Sequence, residues 1–122
     1  MEKAPQSSLA PQSSLPEQSS LTEALDALWT RFRPEMEERV ATLETAALAF
    51  EVSNLSEEQR KKAHAAAHKL AGVLGTFGQA SGTELARELE MLYSRRVGSD
   101  PALAAQMAEI AAQLRAMVES RR

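Results

Sequence analysis

The sequence predicts an all-α protein, an up-down-up-down four-helix bundle with a short extra helix at its N-terminal end. Three observations carry this expectation. Ala and Leu dominate, with Glu, Gln and Arg between them, and these are strong helix formers. Only five glycines and five prolines occur in 122 residues, and Pro5, Pro11 and Pro16 all fall near the start, which leaves too few turn residues for a sandwich or barrel. From Leu21 onward apolar residues recur at alternating steps of three and four, the signature of one buried face on each of several helices.

The elements follow in order. Residues 1–20 stand apart, because Gln-Ser-Ser-Leu occurs at Gln6–Leu9, Gln12–Leu15 and Gln18–Leu21 with prolines between. Such a segment offers little apolar surface to offset the entropy of ordering it, so it is expected to be a flexible tether to a bundle domain at 21–122. A short helix is expected at 22–32, with Leu21, Leu25, Leu28 and Phe32 as its stripe, and Pro34 should end it or kink it into the next. The second helix, 35–52, carries Met36, Val40, Leu43, Ala47 and Phe50. Ser56 and Gln59 have capping-box spacing at the start of a third helix, 57–77, with Ala63, Ala67, Leu70, Leu74 and Phe77. Ser81 and Glu84 repeat that spacing before a fourth, 82–96, with Leu85, Leu89 and Leu92. Gly78 and Gly98 stand where helices should stop. Asp100-Pro101 supplies an N-cap acceptor and a first-turn proline for the last helix, 101–120, which carries Leu103, Met107, Ile110, Leu114 and Met117.

Composition removes whole classes of function. With no cysteine there is no disulfide, thiol catalysis or zinc-thiolate site. A formal charge of −3 argues against general nucleic-acid binding. No apolar run approaches the roughly 20 residues of a membrane span, and the N-terminus lacks the basic-then-apolar pattern of a signal sequence. A cytoplasmic location is expected.

One segment is unusual for a helix. Ala67-His68-Lys69-Leu70-Ala71-Gly72-Val73-Leu74-Gly75-Thr76-Phe77-Gly78 places two interior glycines within one turn, each costing about 1 kcal/mol relative to alanine. At 100° per residue with Leu70 at zero, the apolar stripe centres near about 20°, His68 falls near about 160° and Gly72 near about 200°. His68 is therefore expected to face solvent, beside bare backbone that lets another molecule approach closely.

The spacing His-x-Leu-x-Gly-x-x-Gly-x-x-Gly, from His68 to Gly78, resembles the phosphorylation-site helix of histidine phosphotransfer (HPt) domains. The likeness continues through Leu85-Ala86-Arg87-Glu88-Leu89-Glu90 and covers about 100 residues. It implies a phosphorelay carrier in which His68 accepts a phosphoryl group from the aspartate of a response-regulator receiver domain, or from a sensor or hybrid histidine kinase, and passes it to another receiver. It also implies no ATP site and no cofactor of the domain's own, with Mg²⁺ expected on the partner receiver. An exposed imidazole is mostly neutral and nucleophilic at pH 7. By the same resemblance Glu90 orients the ring of His68, fixing its tautomer as an acid does in a catalytic triad. Lys69, Gly72 and Gly75 are the expected docking residues for the receiver. The family usually has a lysine three residues after the histidine; here that residue is Ala71, and Lys69 projects about 100° away around the helix.

Other readings of the same residues exist. His64 and His68 have the four-residue spacing of a two-histidine metal site, but no third ligand is evident. Arg60, Lys61 and Lys62 read as a solvated face with capping and pairing roles. A bundle that docks partner helices without carrying phosphate is the alternative function, and it leaves the paired glycines unexplained. A di-metal catalytic bundle would need inward Glu and His residues that the stripes lack.

Overall fold

Four α-helices and no strands make up the described part of the chain: α1 (Pro11–Glu51), α2 (Glu57–Thr76), α3 (Ala80–Leu92) and α4 (Pro101–Ser120). The structure, a computed structural model, describes residues 11–120, with side chains from residue 20 on. Residues 1–10 of the expected tether lie outside the described residues. From Pro11 the backbone is helical, so no break in secondary structure marks the boundary expected at residue 20. The chain divides into two units, Met1–Phe32 and Arg33–Arg122, and α1 contributes to both.

Two expectations for the first helices are corrected. The short helix at 22–32 is not separate, because α1 runs through Pro34 without interruption. Pro34 cannot donate to the carbonyl of Thr30, a loss that commonly ends a helix. The turns beyond it are held by the pairs Arg33–Glu37 at 3.2 Å and Arg39–Glu35 at 3.8 Å, and by burial of Met36, Val40 and Leu43. In the first unit Leu21, Leu28 and Phe32 are exposed and Trp29 is buried. The one large indole, roughly 80° around the helix from the leucine stripe, outweighs that stripe because it removes more apolar area from water.

In the second unit the four-helix bundle forms as expected, with one correction on α4: Met107, Ile110 and Leu114 are buried, while Leu103 and Met117 are half-buried and Ala104 and Val118 are buried instead. Met36, Val40, Leu43 and Phe50 of α1, Leu70 and Leu74 of α2, Leu89 of α3 and Met107, Ile110, Leu114 and Val118 of α4 are all buried, a largely aliphatic core. Arg115 of α4 forks onto Glu44 of α1 at 2.7 and 3.2 Å, which fixes their relative register more than it adds stability, since such partly exposed pairs contribute about 0–1 kcal/mol.

Helix ends match the sequence in some places and depart from it in others. The Ser56 and Gln59 capping box is complete, with both bonds at 3.0 Å. Asp100 Oδ1 accepts the amides of Ala102 and Leu103, as expected of an N-cap. Gly78, at φ 72°, ends α2 in the left-handed region, where the amide of Gln79 donates to Leu74 and that of Gly78 to Gly75. Ser81, by contrast, caps nothing. The cap of α3 is Gln79, without a side-chain bond, so the helix begins two residues early. The same helix ends at Leu92 rather than at 96, with Tyr93 as its cap, and Gly98 lies in the loop beyond. Its buried stripe is Gly82, Ala86, Leu89 and Tyr93 instead of the three leucines. Small residues win that face because α3 is pressed against its neighbours: a methyl group added at Gly82 would overlap Met117 Sδ and lie 3.0 Å from Leu74 Cδ1.

Arg60 closes the base of the α2–α3 pair. It is bonded to Glu57 on its own helix and donates to the carbonyl of Tyr93 at the end of α3, so it does more than line a solvated face. The guanidinium holds the Glu57 carboxyl below the usual carboxylate range. Burial pushes the Tyr93 phenol up to about 12.

Candidate functional site

The site lies on the outer side of the α2–α3 pair. Ala63, Ala67, Leu70, Ala71 and Leu74 are all buried, and this fixes the rotation of α2 about its axis. The opposite face must then point outward, and it carries His68, Lys69, Gly72 and Gly75, all exposed. A short turn returns the chain as α3, antiparallel to α2, and Thr83 Oγ1 donates to the carbonyl of Ala71 at 3.4 Å. That register brings position 90 opposite position 68.

Glu90 Oε2 lies 2.8 Å from His68 Nδ1. The histidine side chain is 69% exposed, while the glutamate side chain, at 22%, is largely covered. An ionised carboxylate only accepts, so this contact is made by a ring carrying its proton on Nδ1. In the neutral ring the lone pair then sits on Nε2, the nitrogen turned away from Glu90. The arrangement presents a nucleophilic nitrogen to solvent and keeps a carboxylate behind it, ready to balance positive charge on the ring.

Gly72 lies one turn beyond His68, and a methyl group added there would meet nothing within 4 Å. The space beside the imidazole is open. Gly75 is different, since its added methyl would rest in ordinary contact, 3.6 Å from Thr83 Oγ1, so it lies along the α2–α3 seam. Ala71 is only 2% exposed and faces inward.

Two residues not singled out from sequence belong to the same surface. Arg87 and Met91 line a shallow concavity with His64, Glu90 and Ser94. Met91 is 70% exposed, a large apolar side chain in open view. Arg87 precedes Glu90 by three residues, the helical spacing that makes two side chains neighbours, and that spacing was the available signal. His64 faces this concavity, one turn before His68, and among the described residues no group of three or more His, Asp or Glu side chains is placed to hold a metal.

Comparison with known proteins gives two matches. The family model of the Hpt domain matches residues 27–121. Protein RcaC of Microchaete diplosiphon is 32% identical over 77 residues, a stretch covering 63% of this chain. The chain spans 12% of that relative's length. No solved structure matches.

Proposed function

Because this chain belongs to the Hpt domain family, whose members carry phosphoryl groups on histidine in phosphorelays, we propose that His68 accepts a phosphoryl group from the aspartate of one receiver domain and delivers it to another. The observation that supports this best is the pairing of an exposed imidazole, tied at Nδ1 to Glu90, with open backbone at Gly72. In the forward step the lone pair on His68 Nε2 attacks phosphorus. The N–P bond forms as the bond from phosphorus to the receiver's acyl oxygen breaks, and the carboxylate leaves with that electron pair. The proton on Nδ1 stays where it is, and the positive charge that the ring acquires is balanced by Glu90. The return step reverses this on a second receiver. Reactions of this kind depend on positioning and charge neutralisation more than on covalent assistance, and Mg²⁺ belongs to the receiver.

Lys69, Gly72 and Gly75 form the exposed face that the receiver would cover, and a sensor or hybrid histidine kinase would stand upstream. The test is label transfer. A receiver domain charged with acetyl [³²P]phosphate in the presence of Mg²⁺ is mixed with the full chain, the His68→Gln variant and the His64→Gln variant. Acid-labile label should appear on the full chain and on His64→Gln and be absent from His68→Gln. Label on His68→Gln overturns the assignment. No label on any of the three, across a panel of receivers, favours a bundle that binds partners without carrying phosphate.

A further inference from the structure

A phosphoryl group on His68 Nε2 creates an electrostatic demand that α2 does not meet. The dianion would stand on a ring whose other nitrogen is bonded to the Glu90 carboxylate. The residue three positions on from His68 is the buried Ala71, and the next is Gly72, so neither of these two positions contributes a charge. Lys69 projects about 100° around the helix from His68. Glu90 lies behind the ring at Nδ1 and balances the ring's charge, so a cation for the phosphoryl oxygens themselves must come from elsewhere.

α3 supplies one. Because α2 and α3 are antiparallel, moving one turn from His68 to Gly72 on α2 corresponds to moving one turn from Glu90 back to 86–87 on α3. Ala86 is buried and Arg87 is exposed. By this register the backbone of the outward-facing Arg87 comes close to the level of Gly72, and its side chain lines a concavity with Glu90 and His64. It is also uncommitted. Arg33, Arg39, Arg60, Arg96 and Arg115 are each tied to a glutamate, whereas Arg87 makes no ion pair among the described residues. A planar guanidinium can hold two phosphoryl oxygens at once, which a lysine cannot.

We infer that Arg87 is the cation that takes the phosphoryl group on His68, offered from the neighbouring helix across the gap left by Gly72. This rests on the carrier reading above and adds a residue to it. In this role Arg87 touches the transferred group, and it makes no ion pair or side-chain hydrogen bond among the described residues.

The experiment compares the full chain with Arg87→Gln and Arg87→Lys, with His68→Gln as the blank. Phosphorylation is driven by phosphoramidate, a small donor that needs no docking surface, and followed by ³¹P NMR. Arg87→Gln should melt within error of the parent, acquire phosphate at least tenfold more slowly, and show a phosphohistidine resonance whose titration is displaced upward by a few tenths of a pH unit or more, since a nearby cation favours the dianion. Arg87→Lys should recover the titration in part. If the parent takes up phosphate on His68 and Arg87→Gln matches it in rate and titration, the inference is wrong and the carrier reading stands. If Arg87→Gln is slowed only when a receiver is the donor, Arg87 serves docking and the inference is equally wrong. If the parent takes no phosphate on His68 from either donor, the carrier reading itself fails.

Discussion

Glu90 on α3 holds the Nδ1 edge of His68 on α2 at 2.8 Å, across 22 residues of sequence. With the histidine side chain 69% exposed, this pair is worth little to folding, about 0–1 kcal/mol for exposed ion pairs in general. Its consequence is chemical, since it decides which nitrogen carries the proton. Glu90→Ala should therefore melt close to the parent while the Nδ1–H tautomer of His68 loses its majority, as read by ¹⁵N chemical shifts above the imidazole titration. Phosphorylation should slow by about tenfold, less than the roughly 10²–10⁴-fold of a lost general acid or base, because Glu90 orients the ring and transfers no proton. Glu90→Gln, whose amide oxygen still accepts, should keep the tautomer and recover part of the rate. An unchanged tautomer ratio in Glu90→Ala would show that the carboxylate does not set it.

Glycines 72 and 82 look alike in sequence and opposite in structure. Gly72 faces open space, whereas a methyl group at Gly82 would run into Met117 Sδ and crowd Leu74 Cδ1. Gly72→Ala should raise stability by about 1 kcal/mol, the helical preference for alanine. At Gly82 that gain is offset by displacing Met117, because inserting a methyl group into a packed site costs roughly 1–3 kcal/mol. Denaturant melts of the two single variants should differ by about 1 kcal/mol or more, and shortening the neighbour with Met117→Ala should erase most of the difference. Equal stabilisation at both positions would mean that α3 and α4 are not in close contact there.

How much of this was legible in the sequence varies by element. The amphipathic stripe of α2, the Met107, Ile110 and Leu114 centre of α4, the Ser56 capping box and the Asp100-Pro101 start depend on local spacing, and local spacing is in the sequence. The exposure of His68 followed from its angle on α2, which the buried Ala67, Leu70 and Leu74 determine. What was not legible depends on neighbouring helices. Pro34 reads as a break, yet pairing and burial on its C-terminal side carry the helix through. Leu85 and Leu92 outrank Gly82 and Ala86 in hydrophobicity, but the tight approach to Met117 and Leu74 gives the buried face to the smaller residues. α1 ends with Ser53 in the left-handed region at φ 56°, a place where sequence reasoning looks for glycine. Glu90 entered through family likeness alone, because the register that brings it to His68 is set by the α2–α3 turn.

Tyr93 is the sole tyrosine of the chain and 1% exposed, which allows its titration to be read directly. Its hydroxyl has no hydrogen-bond partner among the described residues, and burial raises its pKa to about 12. The unfolded chain releases that proton near 10. The sign follows from which state holds the proton more tightly. Between about pH 10 and 12 the folded protein keeps it and the unfolded chain does not, so raising pH draws the equilibrium toward unfolding. The stability linked to this group is fully present below pH 10 and is lost by pH 12, an amount of roughly 2 kcal/mol. Phenolate absorbance should rise late, and Tyr93→Phe should be as stable as the parent at pH 7 but lose less stability above pH 10. A midpoint near 10 in the folded protein would mean that solvent reaches the hydroxyl.

The Gly72→Gln variant separates a carrier from a passive bundle, because the two predict different signs for paired measurements. Glutamine is a better helix residue than glycine by several tenths of a kcal/mol, and nothing lies within 4 Å of the site to be displaced. Stability should rise or hold in either case. For a bundle that merely docks helices, the variant should be equal or better in all respects. For a carrier, the new side chain occupies the volume beside His68 through which the receiver's acyl phosphate must approach and into which Arg87 is offered. Misplacement of a reacting group by about 1 Å can cost on the order of 10²-fold in reactions governed by positioning. Transfer from a phosphorylated receiver should therefore fall by tenfold or more in a sample whose melting temperature has not dropped. Gly75→Gln, on the α2–α3 seam, is the companion variant: its methylene lies against Thr83 rather than in open space, so its effect on transfer should be the smaller of the two. Should Gly72→Gln transfer phosphate as fast as the parent, the open space beside His68 is not the receiver's approach.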